Sequence, residues 1–379
     1  MALYNFGLVR ESTGKATLKH LPIPKIPDDY IFVRTVTIAL NPTDWTTLDA
    51  PGAAGTLVGC DFAGVVEEVG SAVRRDFKKG DRVAGMAHGG EFYLASRSVQ
   101  ATLPDQNARM QLILKHVGND ANPEHGAFAR YITVKGDIQL RIPDEISFEA
   151  ACTVGVGLTT LGYALYKVLQ LPWPGAQLGC DFNPILIYGG STATGTLAIQ
   201  FAKRSGLRVL TTGSPKNFGL LKRRGADAVF DYHDKDIGQQ LRLATDGRLS
   251  LVFDCVSTPE TAKICADAIG PSGGKYCSLL DVKSPRSDVE STFFLSYSAS
   301  GEPYTFENEH YEADSEYFEH AVRFAEEASM LWTAGKWEPH PHKEQKGGLI
   351  GALEGMAIMR AGRYSGEKLV YRVDETEWP

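Results

Sequence analysis

The stretch "ILIYGGSTATGTLAIQFAKRSG", Ile185–Gly206, brings glycines and small hydroxyl side chains together where an apolar run gives way to an amphipathic one. A turn that binds a dinucleotide through G-x-G-x-x-G uses its glycines for three tasks. They allow tight turning, close approach of backbone to phosphate, and helix-to-strand packing. Gly189-Gly190 suit the first task and Gly195 the third, while no glycine stands at the middle position. Ser191, Thr192, Ala193 and Thr194 occupy that part of the turn. Their hydroxyls can donate to phosphate oxygens at a helix N-terminus, where N–H groups and the dipole already favour an anion. Gly-Gly-Ser-Thr is also a good helix start in its own right. Its place ahead of a series of strand–helix units favours the phosphate.

A second chemical signal follows. An enzyme that prefers NAD places Asp or Glu roughly 20 residues on, to accept from the ribose 2′-hydroxyl. Here Gly213, 24 residues beyond Gly189, opens "GSPKN", which contains no acid. Ser214, Pro215, Lys216 and Asn217 offer donors instead. Donors suit the 2′-phosphate of NADPH, at about 1.5–3 kcal/mol for each charge-assisted bond.

No comparable set exists for a metal. Cys60, Cys152, Cys180, Cys255, Cys265 and Cys277 are scattered without a C-x-x-C pair, and His88 has no partners at ligand spacing. That pattern is neither a disulfide framework nor a zinc site. The cysteines read as reduced small hydrophobes.

These residues need a scaffold, and 379 residues allow two domains. From Tyr30 to about Arg141, short β-type runs broken by Gly and Pro suit a compact β-rich domain. "SFEAACTVGVGLTTLGYALYKVL" then reads as one helix with Ser147 as N-cap. From Pro184 onward five apolar strands alternate with helices, which implies a doubly wound parallel sheet in an α/β protein. "GLIGALEGMAIMRAGRYSGEKLVYRV" supplies one more helix and a closing strand that can rejoin the first domain.

A net charge of −7 argues against a nucleic-acid surface. The tight basic run Lys222-Arg223-Arg224 reads as a solvated helix end. The N-terminus lacks the apolar region of a signal peptide, and no apolar run reaches membrane-spanning length. A cytoplasmic protein with no membrane partner is expected.

Further segments carry a resemblance: "ALNPTDW" (Ala39–Trp45), "GCDFAGVVEEVG" (Gly59–Gly70), "GDRVAG" (Gly80–Gly85), "YGGSTATG", "SPKNF", "FDY" (Phe230–Tyr232), "DC" (Asp254-Cys255) and "SGEKLV" (Ser365–Val370). They run through nearly the whole chain in one order. The sequence resembles the medium-chain dehydrogenase/reductase superfamily. Within it, the chain is similar to the fungal trans-acting enoyl reductases of the lovastatin type, which serve polyketide synthases.

The resemblance implies a GroES-like substrate domain over residues 1–165, completed by about 320–379, and a Rossmann NADP-binding domain over 166–319. It implies that Thr43, Asp44, Trp45 and Thr46 lie near the nicotinamide, and that Ser191–Thr194 and Ser214–Asn217 hold the phosphates. Tyr232, Leu279 and Leu280 go elsewhere along the cofactor. The acyl pocket falls to Thr160, Leu161, Gly162, Tyr163, Ala164, Leu165, Tyr166 and Lys167, facing Ser298, Ala299, Ser300, Gly301 and Glu302. Thr46 and Thr160 are the implied catalytic positions.

Zinc-dependent members of the superfamily need a Gly-His-Glu motif; this chain has Gly59-Cys60-Asp61, which implies a metal-free reductase. The implied reaction is NADPH-dependent reduction of a polyketide enoyl thioester carried by the acyl carrier domain of a separate synthase. A stand-alone quinone or enone reductase and a catalytically silent NADPH-binding protein are the alternatives. One departure concerns the chemistry. Relatives commonly carry lysine where this chain has Thr46, and threonine supplies no charge, so slower turnover or protonation from water is expected.

The segment Glu91–Gly118 separates two β-type runs, where so long a connection is unusual. It is either a retained intron, since Gly90-Glu91 can be encoded GGTGAG and its codons preserve the frame, or a genuine lid or docking arm.

Overall fold

The computed structural model describes residues 4–50, 54–88, 125–175, 183–306 and 309–379. Cys180 and the segment Glu91–Gly118 lie outside them.

The strand–helix alternation from Pro184 builds one parallel sheet. Across it run Ala228–Asp231, Arg208–Gly213, Pro184–Tyr188, Leu251–Asp254, Gly274–Ser278 and Val289–Phe293. In chain order this is 3-2-1-4-5-6, the order of a doubly wound dinucleotide-binding sheet, with its crevice where the winding reverses between Pro184–Tyr188 and Leu251–Asp254. Central strands read as continuous apolar runs because helices cover both faces: every residue of Pro184–Tyr188 is buried. The sheet has six strands rather than five. Val289–Phe293 lies at the edge with only Val289 fully buried, so its sequence, VESTF, carries no apolar run.

The β-rich domain is centred on Tyr30–Ala39, which pairs antiparallel with Asp61–Val69, Tyr131–Lys135 and Lys368–Arg372. Asp61–Val69 continues to Arg82–Met86 and then Leu140–Arg141. The C-terminal strand therefore closes the first sheet, and His342–Gln345 pairs beside it.

The segment between the sheets is not one helix. Phe148–Ala151, capped by the Ser147 side chain, ends in a turn, and a new helix runs Gly155–Tyr163. The restart has a local cause: Asp61 Oδ1 accepts from the Val156 N–H at 2.7 Å, capping a fresh N-terminus. Gly155 is required there, because a Cβ would lie 2.2 Å from Gly85 O. The helix then widens into a π turn over Ala164–Val168, where the Leu169 N–H donates to Ala164 O at 2.9 Å.

The stretch Phe148–Val168 is long and apolar enough to cross a membrane, yet 72% of its most apolar window is buried inside the fold. Its leucines pack against Leu197, Phe201, Phe324 and Trp332 in the largest core cluster. Burial contributes about 1.5–3 kcal/mol for each large apolar side chain. In the basic run, Arg224 is not solvated: it pairs with Glu338 and donates to Pro339 O.

Candidate active site

The turn after Pro184–Tyr188 is shaped by its glycines. Gly189 has φ +78°, and a Cβ on Gly190 would lie 2.0 Å from Thr211 Oγ1. A Cβ on Gly195 would lie 2.4 Å from Gly189 O, so the helix start rests directly on the turn. Thr192 is the N-cap of the helix Ala193–Arg204; its Oγ1 accepts from the Gly195 N–H at 2.9 Å. That leaves the Thr192 O–H and the first-turn N–H groups of Ala193 and Thr194 for an anion. Ser191 is half-buried beside them, and its Oγ lies 4.0 Å from where a Gly213 Cβ would sit. The turn thus adjoins the end of Arg208–Gly213.

At that end Ser214 begins the short helix Pro215–Asn217, and Lys216 is exposed. Asn217 Nδ2 donates to Ser214 Oγ and to Ser365 Oγ, each at 3.4 Å. Ser365 was missed in the sequence although "SGEKLV" stood out, because nothing local relates it to Asn217. Tyr232 follows Ala228–Asp231, 43% exposed, with its ring 4.0 Å from that of His233. Leu279 and the exposed Leu280 follow Gly274–Ser278, and the Leu279 N–H donates to Ser257 Oγ at 2.7 Å. Ser191–Thr194, Ser214–Asn217, Tyr232 and Leu279–Leu280 therefore all lie just beyond the carboxyl ends of strands in one sheet. Turn, helix N-terminus and strand ends fit a dinucleotide, because they present hydroxyl, amide and ammonium donors for its phosphates.

Asp254, from the "DC" segment, also shapes this edge. The buried Asp254 carboxylate accepts from Val256 N–H, Ser257 N–H, Thr261 Oγ1 and the Tyr276 hydroxyl. It fixes a loop whose Val256 crowds Gly189.

From the β-rich domain, the helix Pro42–Asp49 reaches the segment beyond Val289–Phe293 through Thr43. Thr43 Oγ1 shares hydrogen bonds with the Tyr297 hydroxyl at 2.8 Å and with Thr47 Oγ1 at 3.3 Å. Thr46 is exposed, and its hydroxyl donates to Pro42 O and Thr43 O of its own helix. Asp44 and Trp45 turn the other way. Asp44 Oδ2 accepts from the Asn41 N–H at 2.6 Å, and burial pushes its carboxyl up to about 7. Trp45 packs against the β-domain core beneath the Arg360 guanidinium. Both are committed to their own domain by helical periodicity, which sends only one face toward the crevice.

Below this helix, Asp61 and Lys368 form a buried ion pair with side-chain exposures of 0% and 6%. Because Asp61 also caps the helix Gly155–Tyr163, the pair ties the C-terminal strand to the floor of the site. Cys60 is buried beside Asp44, and its thiol hydrogen-bonds that carboxyl. Among the described residues no group of three or more His, Cys, Asp or Glu side chains is arranged to hold a metal ion.

The two acyl stretches meet, but only in part. Tyr163 stacks on Tyr317 at 3.7 Å and lies tilted against Phe294 at 4.9 Å, in the cluster that contains Ala299. A cleft opens between Thr159, Gly162 and Tyr163 on one wall and Tyr317, His320 and Phe324 on the other. Leu161, Ala164, Leu165 and Tyr166 do not line it; they are buried in the core, where the Tyr166 hydroxyl meets Ser205 Oγ at 3.2 Å. Lys167 pairs with Glu316 at the surface, and Thr160 is buried. A helix turns only one face to a cleft, so a continuous stretch cannot line it.

In the second stretch, Ser298 Oγ bonds the Tyr304 hydroxyl and Ser300 Oγ donates to Tyr297 O. Gly301, with φ +72°, packs against Phe318. Glu302 accepts from the Tyr30 hydroxyl at 2.7 Å and from Lys135 Nζ at 3.0 Å, so its carboxylate is occupied by the scaffold.

Comparison with known proteins agrees with this architecture. Residues 27–144 match the alcohol dehydrogenase GroES-like domain, and residues 193–278 match the family described as zinc-binding dehydrogenase. The CurK enoyl reductase structure superposes with a TM-score of 0.71 at 16% identity, covering 97% of this chain and 98% of that one. The fold is thus that of the medium-chain dehydrogenase/reductases, a GroES-like domain joined to a Rossmann domain.

Closer relatives narrow the class. The trans-enoyl reductase ACTTS2 of Alternaria alternata is 43% identical over 97% of this chain and 98% of its own length. The trans-enoyl reductase TOXD of Cochliobolus carbonum is 48% identical over 75% of this chain and 86% of its own. The chain belongs to the trans-enoyl reductase family, oxidoreductases that act on carbon–carbon double bonds.

Proposed function

We propose that this protein is an NADPH-dependent, metal-independent reductase of the α,β-double bond in a polyketide thioester, delivered by the acyl carrier domain of a separate synthase. The observation that carries the reading is the donor-bearing carboxyl edge of the parallel sheet, where Thr192 caps a helix N-terminus, together with an apolar, aromatic-lined cleft at Tyr163. Ser191 and Thr192, with the N–H groups of Ala193 and Thr194, hold the pyrophosphate. Ser214, Lys216 and Asn217 hold the 2′-phosphate, with Ser365 bracing Asn217. Tyr232 flanks the adenosine end, and Leu279, Leu280, Thr43 and Thr46 close around the nicotinamide end. The bound cofactor supplies the hydride.

Tyr163 and the cluster around Ala299 shape the acyl cleft, with Thr160 as support behind that wall. The crevice needs no Lewis acid for this chemistry. Hydride addition to a conjugated thioester calls for positioning and for donors to the enolate oxygen. We assign residues 1–165 and about 320–379 to the substrate domain and 166–319 to the cofactor domain.

The test is NADPH oxidation against a series of enoyl thioesters of N-acetylcysteamine, with 1,4-benzoquinone in parallel and a chelator in a third arm. Thioester reduction that exceeds quinone reduction and survives the chelator is expected. Quinone turnover alone would make the protein a quinone reductase, and loss of activity to the chelator would contradict metal independence.

A further inference from the structure

Adding hydride to an enoyl thioester leaves an enolate whose Cα needs a proton. Thr46 does not supply it, since its O–H is spent on Pro42 O and Thr43 O of its own helix. Another acid, Tyr297, is buried beside Cys60, Met86 and Val156, next to the acyl segment Ser298–Glu302. Tyr297 lies four residues beyond the carboxyl end of Val289–Phe293, on the edge where the cofactor segments gather. Its hydroxyl meets Thr43 Oγ1 at 2.8 Å, so this hydrogen bond joins the segment after Val289–Phe293 to the helix Pro42–Asp49. His88 lies against its ring at 4.4 Å and confines it. Thr43 Oγ1 continues to Thr47 Oγ1 at 3.3 Å, and Thr47 lines a small second cleft beside Arg10 and Thr56.

We propose that Tyr297 is the proton donor of the reaction, reloaded through the hydroxyls of Thr43 and Thr47. The proposal rests on the enoyl-thioester reading above. In the step, hydride forms the Cβ–H bond and the electron pair of the double bond moves to the enolate. The Tyr297 O–H bond breaks as Cα–H forms. Thr43 passes its proton to the phenolate, takes one from Thr47, and Thr47 takes one from solvent. The substrate gains a hydride and a proton, and the enzyme returns to its starting protonation. A phenol, with an ordinary pKa near 10, is far more acidic than the α-C–H of a thioester, so the transfer runs downhill. General acid catalysis contributes a factor of about 10²–10⁴, the contribution an ammonium at position 46 would otherwise be placed to make.

The experiment uses the full chain with NADPH and crotonyl-N-acetylcysteamine thioester in D₂O, comparing wild type, Tyr297→Phe, Thr43→Val and Thr43→Ser. Wild type should give butyryl thioester with one deuterium at Cα in a single configuration. Tyr297→Phe should lower kcat by about 10²–10⁴ and give both configurations at Cα. NADPH binding, followed by nicotinamide fluorescence without thioester, should be unchanged in that variant. Thr43→Val should lose rate in the same way, and Thr43→Ser should restore it.

A Tyr297→Phe protein that keeps its rate and a single Cα configuration would overturn the proposal. So would one that loses NADPH binding and melting temperature while keeping the configuration, since that is the behaviour of a latch between domains. A wild-type protein that leaves every enoyl thioester unreduced would overturn the functional reading, and the donor role with it.

Discussion

At the turn Gly189–Gly195, the groups proposed to meet a phosphate belong to main chain and hydroxyls within seven consecutive residues. In the cleft beside Tyr163, the walls come from Gly155–Tyr163 and Ser315–Thr333, two helices far apart in the chain. The turn has its shape from glycines that tolerate no side chain, while the cleft has its shape from side chains packed by tertiary contacts. The first kind of site is set by local backbone and resists change. The second is set by which helical face turns inward, and it can change its lining while the fold persists. That division is what the proposed function asks of the cofactor turn and the acyl cleft.

The junction between the two regions should show the largest effect. Lys368→Met leaves the Asp61 carboxylate buried without its cation, and removing one partner of such a pair costs roughly 3–5 kcal/mol. A clear fall in melting temperature is expected, and one equal to the parent's would show that the pair is dispensable.

The turn comes next. Gly195→Ala places a methyl 2.4 Å from Gly189 O, so the turn must shift. NADPH affinity should drop at least about tenfold, roughly 1.4 kcal/mol. Unchanged affinity in a cofactor titration would remove the close approach from the account.

Discrimination at the adenosine end rests on fewer atoms. NADPH should bind at least about tenfold tighter than NADH, roughly 1.4 kcal/mol, and Lys216→Glu should narrow that gap. Equal affinity for the two cofactors in the unaltered protein would remove the 2′-phosphate assignment.

The smallest effect separates two buried titratable groups. Burial pushes Asp44 up to about 7, so between its ordinary 3.8 and 7 the folded state binds more protons and stability falls as pH rises. Burial pushes His340, bonded to Thr196 Oγ1, down to about 3. Between 3 and its ordinary 6.5 the unfolded state binds more protons, and stability falls as pH drops. Relative to wild type, Asp44→Asn should therefore gain melting temperature as pH rises toward 7, and His340→Gln should gain as pH falls toward 3. Parallel profiles for all three proteins would show that neither group is perturbed.

The same division explains what the sequence reveals. The Rossmann units are legible because apolar runs, turn glycines and an N-cap threonine are local signals, and the acid-free "GSPKN" is read directly. The edge strand Val289–Phe293 is not, because half-buried residues leave no pattern. The acyl stretch Thr160–Lys167 is legible as a helix but not as a wall, since its facing direction depends on Phe324 and Tyr317. The contacts that complete the site join residues 148, 254 and 307 positions apart: Asn217 with Ser365, Thr43 with Tyr297, and Asp61 with Lys368. No spacing rule reaches that far. The segments "GCDF" and "SGEKLV" stand out in the sequence, but only the fold brings Asp61 to Lys368.

The central claim is hydride transfer from NADPH to the double bond of a thioester. Its most direct test is incubation with NADPH deuterated at nicotinamide C4, on both faces, and an enoyl thioester in ordinary water, followed by mass spectrometry and NMR of the product. One deuterium at Cβ of a saturated thioester, and none at Cα, is the predicted result. Recovery of unreduced thioester, or a saturated product without deuterium, would contradict it.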